Sequence, residues 1–135
     1  PVKAKLWETE LSNTMVIYDS STANEDNLKK IPKNVAIEKI SSDDPKLISK
    51  ILAEKGCNKI LWECGPKLAT SAVKAGCIQE FFTFLAPKIL GGENGMNPFS
   101  NFEFKSMNEV INLNLKEIKH FNSDIYLRSL IKKNI

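Results

Sequence analysis

Lys59-Ile60-Leu61-Trp62-Glu63-Cys64-Gly65-Pro66-Lys67-Leu68-Ala69-Thr70-Ser71-Ala72 is the stretch on which the reading of the chain turns. An apolar run from Lys59 ends in the carboxylate of Glu63, as a short strand would, and a glycine turn leads from it into a helix over 66–75. Pro66 fits the first helical position, because it has no N–H to leave unbonded and its φ is already set for a helix. Gly65 permits positive φ and lets another group approach the main chain closely. The residues that follow, Ala69, Thr70, Ser71 and Ala72, are small or hydroxylated and leave room against the helix end. Glu63 is therefore expected at the carboxyl edge of a sheet, beside main-chain N–H groups that suit an anionic ligand. The bland alternative is a well-formed strand-to-helix turn with an exposed carboxylate.

Upstream, Met15-Val16-Ile17-Tyr18 is a short apolar strand that enters the polar loop Asp19-Ser20-Ser21-Thr22. Val35 to Ile40 alternates as a second strand should. Asp44 then stands as an N-cap before Pro45, and Leu47, Ile48, Ile51 and Leu52 follow at helical spacing up to Gly56. Downstream, Gly76 closes the helix begun at Pro66, and Glu80 to Ala86 is apolar almost throughout, as a central strand covered on both faces would be. Pro87 to Ser100, rich in glycine, asparagine and proline, reads as a long loop over a site. Val110 to Phe121 and Asp124 to Leu130 read as antiparallel strands joined by Asn122-Ser123. The phase of Ile111, Leu113 and Leu115 slips before Ile118 and His120, which predicts a β-bulge near Lys116-Glu117. Alternation of strand and helix in the first part implies parallel pairing. The predicted fold class is α/β: a mainly parallel central sheet flanked by helices, finished by a C-terminal antiparallel strand pair, within one domain over 1–135.

The chain has 135 residues, enough for one domain with a core, and its 42% hydrophobic and 26% charged residues are those of a soluble globular protein. No apolar run approaches the ~20 residues that span a bilayer. Pro1-Val2-Lys3-Ala4-Lys5 is followed by Trp7 and Glu8 and not by an apolar core, so no signal peptide is read there and a cytoplasmic location is expected. The formal net charge of +3 is spread along the chain, without the basic stripe and exposed aromatics of a nucleic-acid binder. A mild positive bias suits phosphorylated small molecules. Cys57, Cys64 and Cys77 are spaced by seven and thirteen residues and His120 is the only histidine, which matches no metal-ligand pattern. Cys64 lacks a neighbouring base for nucleophilic work, Asp43-Asp44 is sufficiently explained by capping, and His120 reads as a packed or hydrogen-bonded strand residue. Phe81, Phe82 and Phe84 read as strand core.

Ile60 to Ala69, then Ala75-Gly76-Cys77-Ile78-Gln79-Glu80, then Leu85-Ala86-Pro87-Lys88-Ile89-Leu90-Gly91-Gly92 strongly resemble the pyrimidine reductase domain of riboflavin biosynthesis. That domain is the C-terminal half of a bifunctional deaminase–reductase and has a dihydrofolate-reductase-like fold. Lys116 to His120 and Asp124 to Leu127 resemble its last two strands. The blocks keep their order over residues 59–130, whereas residues 1–58 fit the preceding strands only in pattern.

The resemblance implies NADPH-dependent reduction of the ribosyl group of 5-amino-6-(5-phosphoribosylamino)uracil to the ribityl product. By matching positions, Glu63 would contact this phosphorylated pyrimidine substrate. Gly65, Pro66, Lys67, Leu68, Ala69, Thr70 and Ser71 would hold the cofactor's phosphates. Direct hydride transfer needs orientation and not a protein nucleophile, so no catalytic residue is assigned. A 2,5-diamino-pyrimidinone substrate stays open, as do a non-catalytic dimerisation module and a nucleotide-binding regulator. The family's opening strand and loop, of the type Thr-x-Lys-x-Ala-x-Ser-x-Asp-Gly, is not found upstream of Met15, and Asp43-Asp44-Pro45-Lys46-Leu47 comes too late to be its Asp-Asp-Pro segment. The expectation is a C-terminal portion of a reductase domain, without a deaminase domain, whose longer native chain carries one. Missing edge strands would favour a homodimer.

Overall fold

The structure is a computed structural model that describes residues 4–10, 12–89, 97–100 and 102–132. It divides into two compact units, Pro1–Asn58 and Lys59–Ile135.

In the first unit, a 3₁₀ turn at Lys5–Trp7 precedes β1 (Met15–Asp19), α1 (Glu25–Leu28), β2 (Ala36–Ile40) and α2 (Pro45–Glu54). β1 and β2 pair in parallel, from Met15 opposite Ala36 to Asp19 opposite Ile40. Val35 and Ile40 are buried. The start of α2 follows its sequence: the Asp44 carboxylate accepts the Lys46 N–H at 2.9 Å, and Pro45 takes the first turn. Its end does too. Gly56 adopts φ +92°, the Cys57 N–H reaches the Leu52 carbonyl at 3.0 Å and the Gly56 N–H reaches Ala53 at 2.9 Å, a Schellman closure. α1 has four residues, too few to show a helical period, and its local signal is Asn24, whose side chain accepts from the Asp26 and Asn27 N–H groups.

The second unit contains α3 (Pro66–Lys74), β3 (Glu80–Leu85), a 3₁₀ turn at Met107–Glu109, β4 (Leu113–Phe121) and β5 (Asp124–Ile131). Its sheet has the order β3-β5-β4, with both pairings antiparallel. α3 ends as expected at Gly76, with φ +72°. The parallel β1–β2 pair, the helices and this antiparallel set together make the α/β fold.

Two local expectations are corrected. Residues 59–65 lie in neither helix nor strand. An apolar run favours extended chain, but a strand exists only where a neighbour supplies a ladder. Glu80 to Ala86 is not a covered central strand: β3 lies at one end of the three-strand order, with Phe82 49% and Phe84 67% exposed. A continuous apolar run carries no period, so it cannot distinguish a buried strand from one with apolar residues on both faces. The loop expected over Pro87 to Ser100 is irregular at 87–89 and 97–100, and its residues 90–96 lie outside the described residues.

The hairpin agrees with its sequence closely. Leu115 faces Ser129 and Glu117 faces Arg128, so Lys116 is the extra residue of a bulge. The bulge keeps Leu113, Leu115 and Ile118 on one face of the sheet despite the slip in sequence. That face also carries Phe81, Ile125 and Leu127, by register. The opposite face carries an aromatic group: Tyr126 lies 5.2 Å from Phe84, 6.2 Å from Phe121 and 6.3 Å, stacked, from Phe82. Beside it the Arg128 guanidinium grips the Glu80 carboxylate by two bonds, Nε at 2.8 Å and an Nη at 3.0 Å, tying β5 to β3. Among the described residues no helix is long and apolar enough to cross a membrane.

The paired Arg128 holds the Glu80 carboxyl below its usual range. A lowered folded value means that the stabilisation is complete at neutral pH and is lost as pH falls through that value. Glu80→Gln should therefore lower the urea midpoint at pH 7, and the gap to the wild type should narrow as pH falls through the lowered range of the Glu80 carboxyl. In the two-residue turn, Asn122 has φ 55°. Asn122→Val should destabilise by ~1–2 kcal/mol, whereas Asn122→Gly should be neutral or stabilising in the same urea titration.

Candidate functional site

The sequence-predicted residues gather at the start of α3. Gly65 is the N-cap with φ −71° and ψ 167°, so the left-handed backbone expected of it is not used. A Cβ built at Gly65 would meet nothing within 4 Å among the described residues, which leaves space for a ligand over this turn. The first main-chain bond of the helix runs from the Ala69 N–H to the Gly65 carbonyl at 3.0 Å. Pro66 has no N–H, so the Lys67 and Leu68 N–H groups precede the helical ladder. Asn24 caps α1 and Asp44 caps α2, whereas α3 has no side-chain cap. The positive end of the α3 dipole is therefore open to an anion, with the exposed Lys67 ammonium on the same turn.

The helical period sorts the remaining residues. Lys67, Ser71 and Lys74 face solvent, Leu68 and Ala69 are half-buried, and Thr70, Ala72 and Val73 point inward. Glu63 is exposed in the irregular segment just before the turn. Glu63, Gly65, Lys67 and Ser71 are thus open to a ligand.

Thr70 is different: it is 5% exposed, and its Oγ1 accepts the Ser100 N–H at 2.8 Å while the hydroxyl reaches the Ser100 carbonyl at 3.4 Å. The Ser100 N–H also lies 3.3 Å from the Pro66 carbonyl. From there a chain of rings continues. Phe99 meets Phe81 of β3 edge-on at 5.7 Å and Phe102 at 5.9 Å, and Phe102 stacks on Phe104 at 5.1 Å. The Lys74 ammonium sits 5.5 Å from the Phe102 centroid, over the ring. Segment 97–104 is therefore fastened to both α3 and β3, among its described residues. Sequence reasoning missed this contact because Thr70 and Ser100 are 30 positions apart and no local pattern links them.

Cys64 is half-buried, and burial pushes its thiol pKa up, away from the reactive thiolate. His120 is exposed on β4 opposite Ile125, so the packed position expected for it is corrected: its strand is at the edge of the sheet. Among the described residues no three His, Cys, Asp or Glu side chains come together as metal ligands.

A family model described as the RibD C-terminal domain matches residues 1–127, and so includes the first part of the chain that motifs alone did not place. The chain is 32% identical over 117 residues to the riboflavin biosynthesis protein RibD of Synechocystis, covering 84% of this chain and 31% of that protein. Its fold is shared with Acinetobacter baumannii RibD, with TM-score 0.73, 21% identity, and cover of 98% of this chain and 34% of that one. It is also shared with a diaminohydroxyphosphoribosylaminopyrimidine deaminase/5-amino-6-(5-phosphoribosylamino)uracil reductase from Thermotoga maritima. There the TM-score is 0.70 at 21% identity, covering 92% of this chain and 32% of that one. The chain spans about a third of the length of these relatives. With its matched length, its fold and the turn from Glu63 into α3, the chain belongs to the RibD C-terminal domain family of riboflavin-biosynthesis reductases.

Proposed function

We propose that this chain is the C-terminal portion of a reductase domain that uses NADPH to reduce the ribosyl group of 5-amino-6-(5-phosphoribosylamino)uracil to the ribityl product. The observation that carries the reading is the uncapped start of α3, with open space at Gly65, in a chain of this family. The relative from Thermotoga maritima, whose name states that reductase activity, supports the choice of substrate. Both compact units belong to this one domain, in keeping with a family match that runs across them.

NADPH, when bound, would supply a hydride to C1′ of the sugar, whose bond to the ring oxygen opens as that oxygen takes a proton from solvent. The chain's own part is to bind and orient. The main-chain N–H groups of Lys67 and Leu68 and the Lys67 ammonium hold a cofactor phosphate, and Gly65 lets it come close. Pro66, Leu68 and Ala69 shape the turn, and Ser71 offers a hydroxyl on the exposed face of the helix. Glu63, just before the turn, accepts hydrogen bonds from the substrate and fixes it beside the cofactor. The longer native chain contributes a deaminase domain and the rest of the substrate surface, acts in the cytoplasm and forms a homodimer. Exposed apolar residues on β3 and β4, Phe84 and Ile118 among them, support the self-association.

In the full-length protein, Glu63→Ala should lower kcat/KM by about 10- to 100-fold, the loss of ~1.5–3 kcal/mol of charged hydrogen bonding. Because Glu63 is exposed, the thermal midpoint should stay close to wild type. NADPH oxidation followed by absorbance checks the first and a thermal melt the second; unchanged turnover would remove Glu63 from the site. Lys67→Ala should raise the Kd for NADPH about 3- to 10-fold at low salt, and the difference should shrink as salt screens the charge. Fluorescence titration at two ionic strengths reads this. Binding without oxidation would instead mark a nucleotide-binding module.

A further inference from the structure

We propose that Thr70 serves this site as a positioning residue, holding the segment 97–100 against the first turn of α3 through Ser100, and not as a contact to the cofactor. The inference rests on the reading above that the cofactor sits at the start of α3, and it names the device that keeps one side of that place in order.

A threonine inside a helix ordinarily bonds back to the carbonyl four residues earlier, here that of Pro66, or points to solvent. Thr70 does neither. Its side chain is 5% exposed, and its hydroxyl receives the Ser100 N–H at 2.8 Å and reaches the Ser100 carbonyl at 3.4 Å. Both main-chain polar groups of Ser100 are thereby met by one side chain. The same N–H lies 3.3 Å from the Pro66 carbonyl, which places Ser100 alongside the turn that carries Gly65, Lys67 and Leu68. Phe99, the preceding residue, is fixed from the other side by its edge contact with Phe81 of β3. The segment is thus registered between helix and sheet at the level of the helix start.

A buried hydroxyl engaged in this way is poorly placed to hold a phosphate, and it is well placed to decide where its neighbours stand. If the segment is seated only part of the time, the apparent affinity for a ligand beside it falls by the seated fraction, while the bound complex reacts as before. Seating for about a tenth of the time would raise Kd about tenfold. A positioning role through the segment therefore separates KM from kcat.

The test uses Thr70→Val and Thr70→Ser in the full-length protein, with NADPH titration, steady-state kinetics and amide hydrogen exchange at Ser100. Valine keeps the volume and removes both bonds. Thr70→Val should raise Kd and KM for NADPH about 3- to 10-fold with kcat within about twofold, and the Ser100 amide should exchange faster. Thr70→Ser should return all three toward wild type. Where Thr70→Val does not fold, Phe99→Leu loosens the other anchor and should raise Kd in the same range. Faster Ser100 exchange with an unchanged Kd would overturn the proposal, as would an unchanged Kd in folded Phe99→Leu. Lost affinity with unchanged Ser100 exchange would overturn it in favour of direct contact. A wild-type protein that does not bind NADPH would overturn the site reading and this inference together, whereas normal wild-type binding with an indifferent Thr70→Val would sink this inference alone.

Discussion

The second unit depends on β5 having a neighbour on each side. Through it β3 and β4, more than twenty residues apart in the sequence, become one sheet. Main-chain pairing runs from Glu80 opposite Leu130 to Leu85 opposite Ile125 on one side, and from Leu113 opposite Ile131 to Phe121 opposite Asp124 on the other. The Glu80–Arg128 pair fixes one edge of this arrangement with directional bonds, and the bulge at Lys116 keeps the apolar residues of β4 in phase with those of β5. Without the bulge, a one-residue slip would turn every later side chain of β4 to the other face.

A sheet with apolar residues on both faces, as this one has, is at its most stable when both faces are covered. Phe84 and Ile118 lie on opposite faces by register, and both are more than half exposed. The fold thus carries apolar surface whose burial would add stability.

α3 joins the architecture to the proposed chemistry because its two ends are treated differently. Its end is closed by Gly76 and the Cys77 N–H bonded to Ala72 at 2.9 Å, so the last carbonyls are satisfied by the chain itself. Its start has no side-chain cap, and the nearest residue, Gly65, adds no bulk. On the inward side Thr70 and Ser100 tie the same helix to a distant segment. One face of the first turns is open and the other is anchored, which is the combination that a bound anion requires of its support.

The amino-acid sequence by itself determined the features that local chemistry controls. Asp44 and Pro45 dictate the start of α2, Gly56 and Gly76 the ends of α2 and α3, Asn122-Ser123 the hairpin, and the slip from Leu115 to Ile118 the bulge. Each rests on groups a few bonds apart, so pattern suffices. Tertiary structure alone decided that Glu80 to Leu85 joins β5 at the end of an antiparallel order, that residues 59–65 form no strand, that His120 is exposed, and that Thr70 turns inward to Ser100. These outcomes depend on which distant segments come to lie side by side. Apolar side chains without a period do not state their partner, and a hydroxyl at helical spacing does not state whether it will meet a ligand or a main-chain amide 30 residues on.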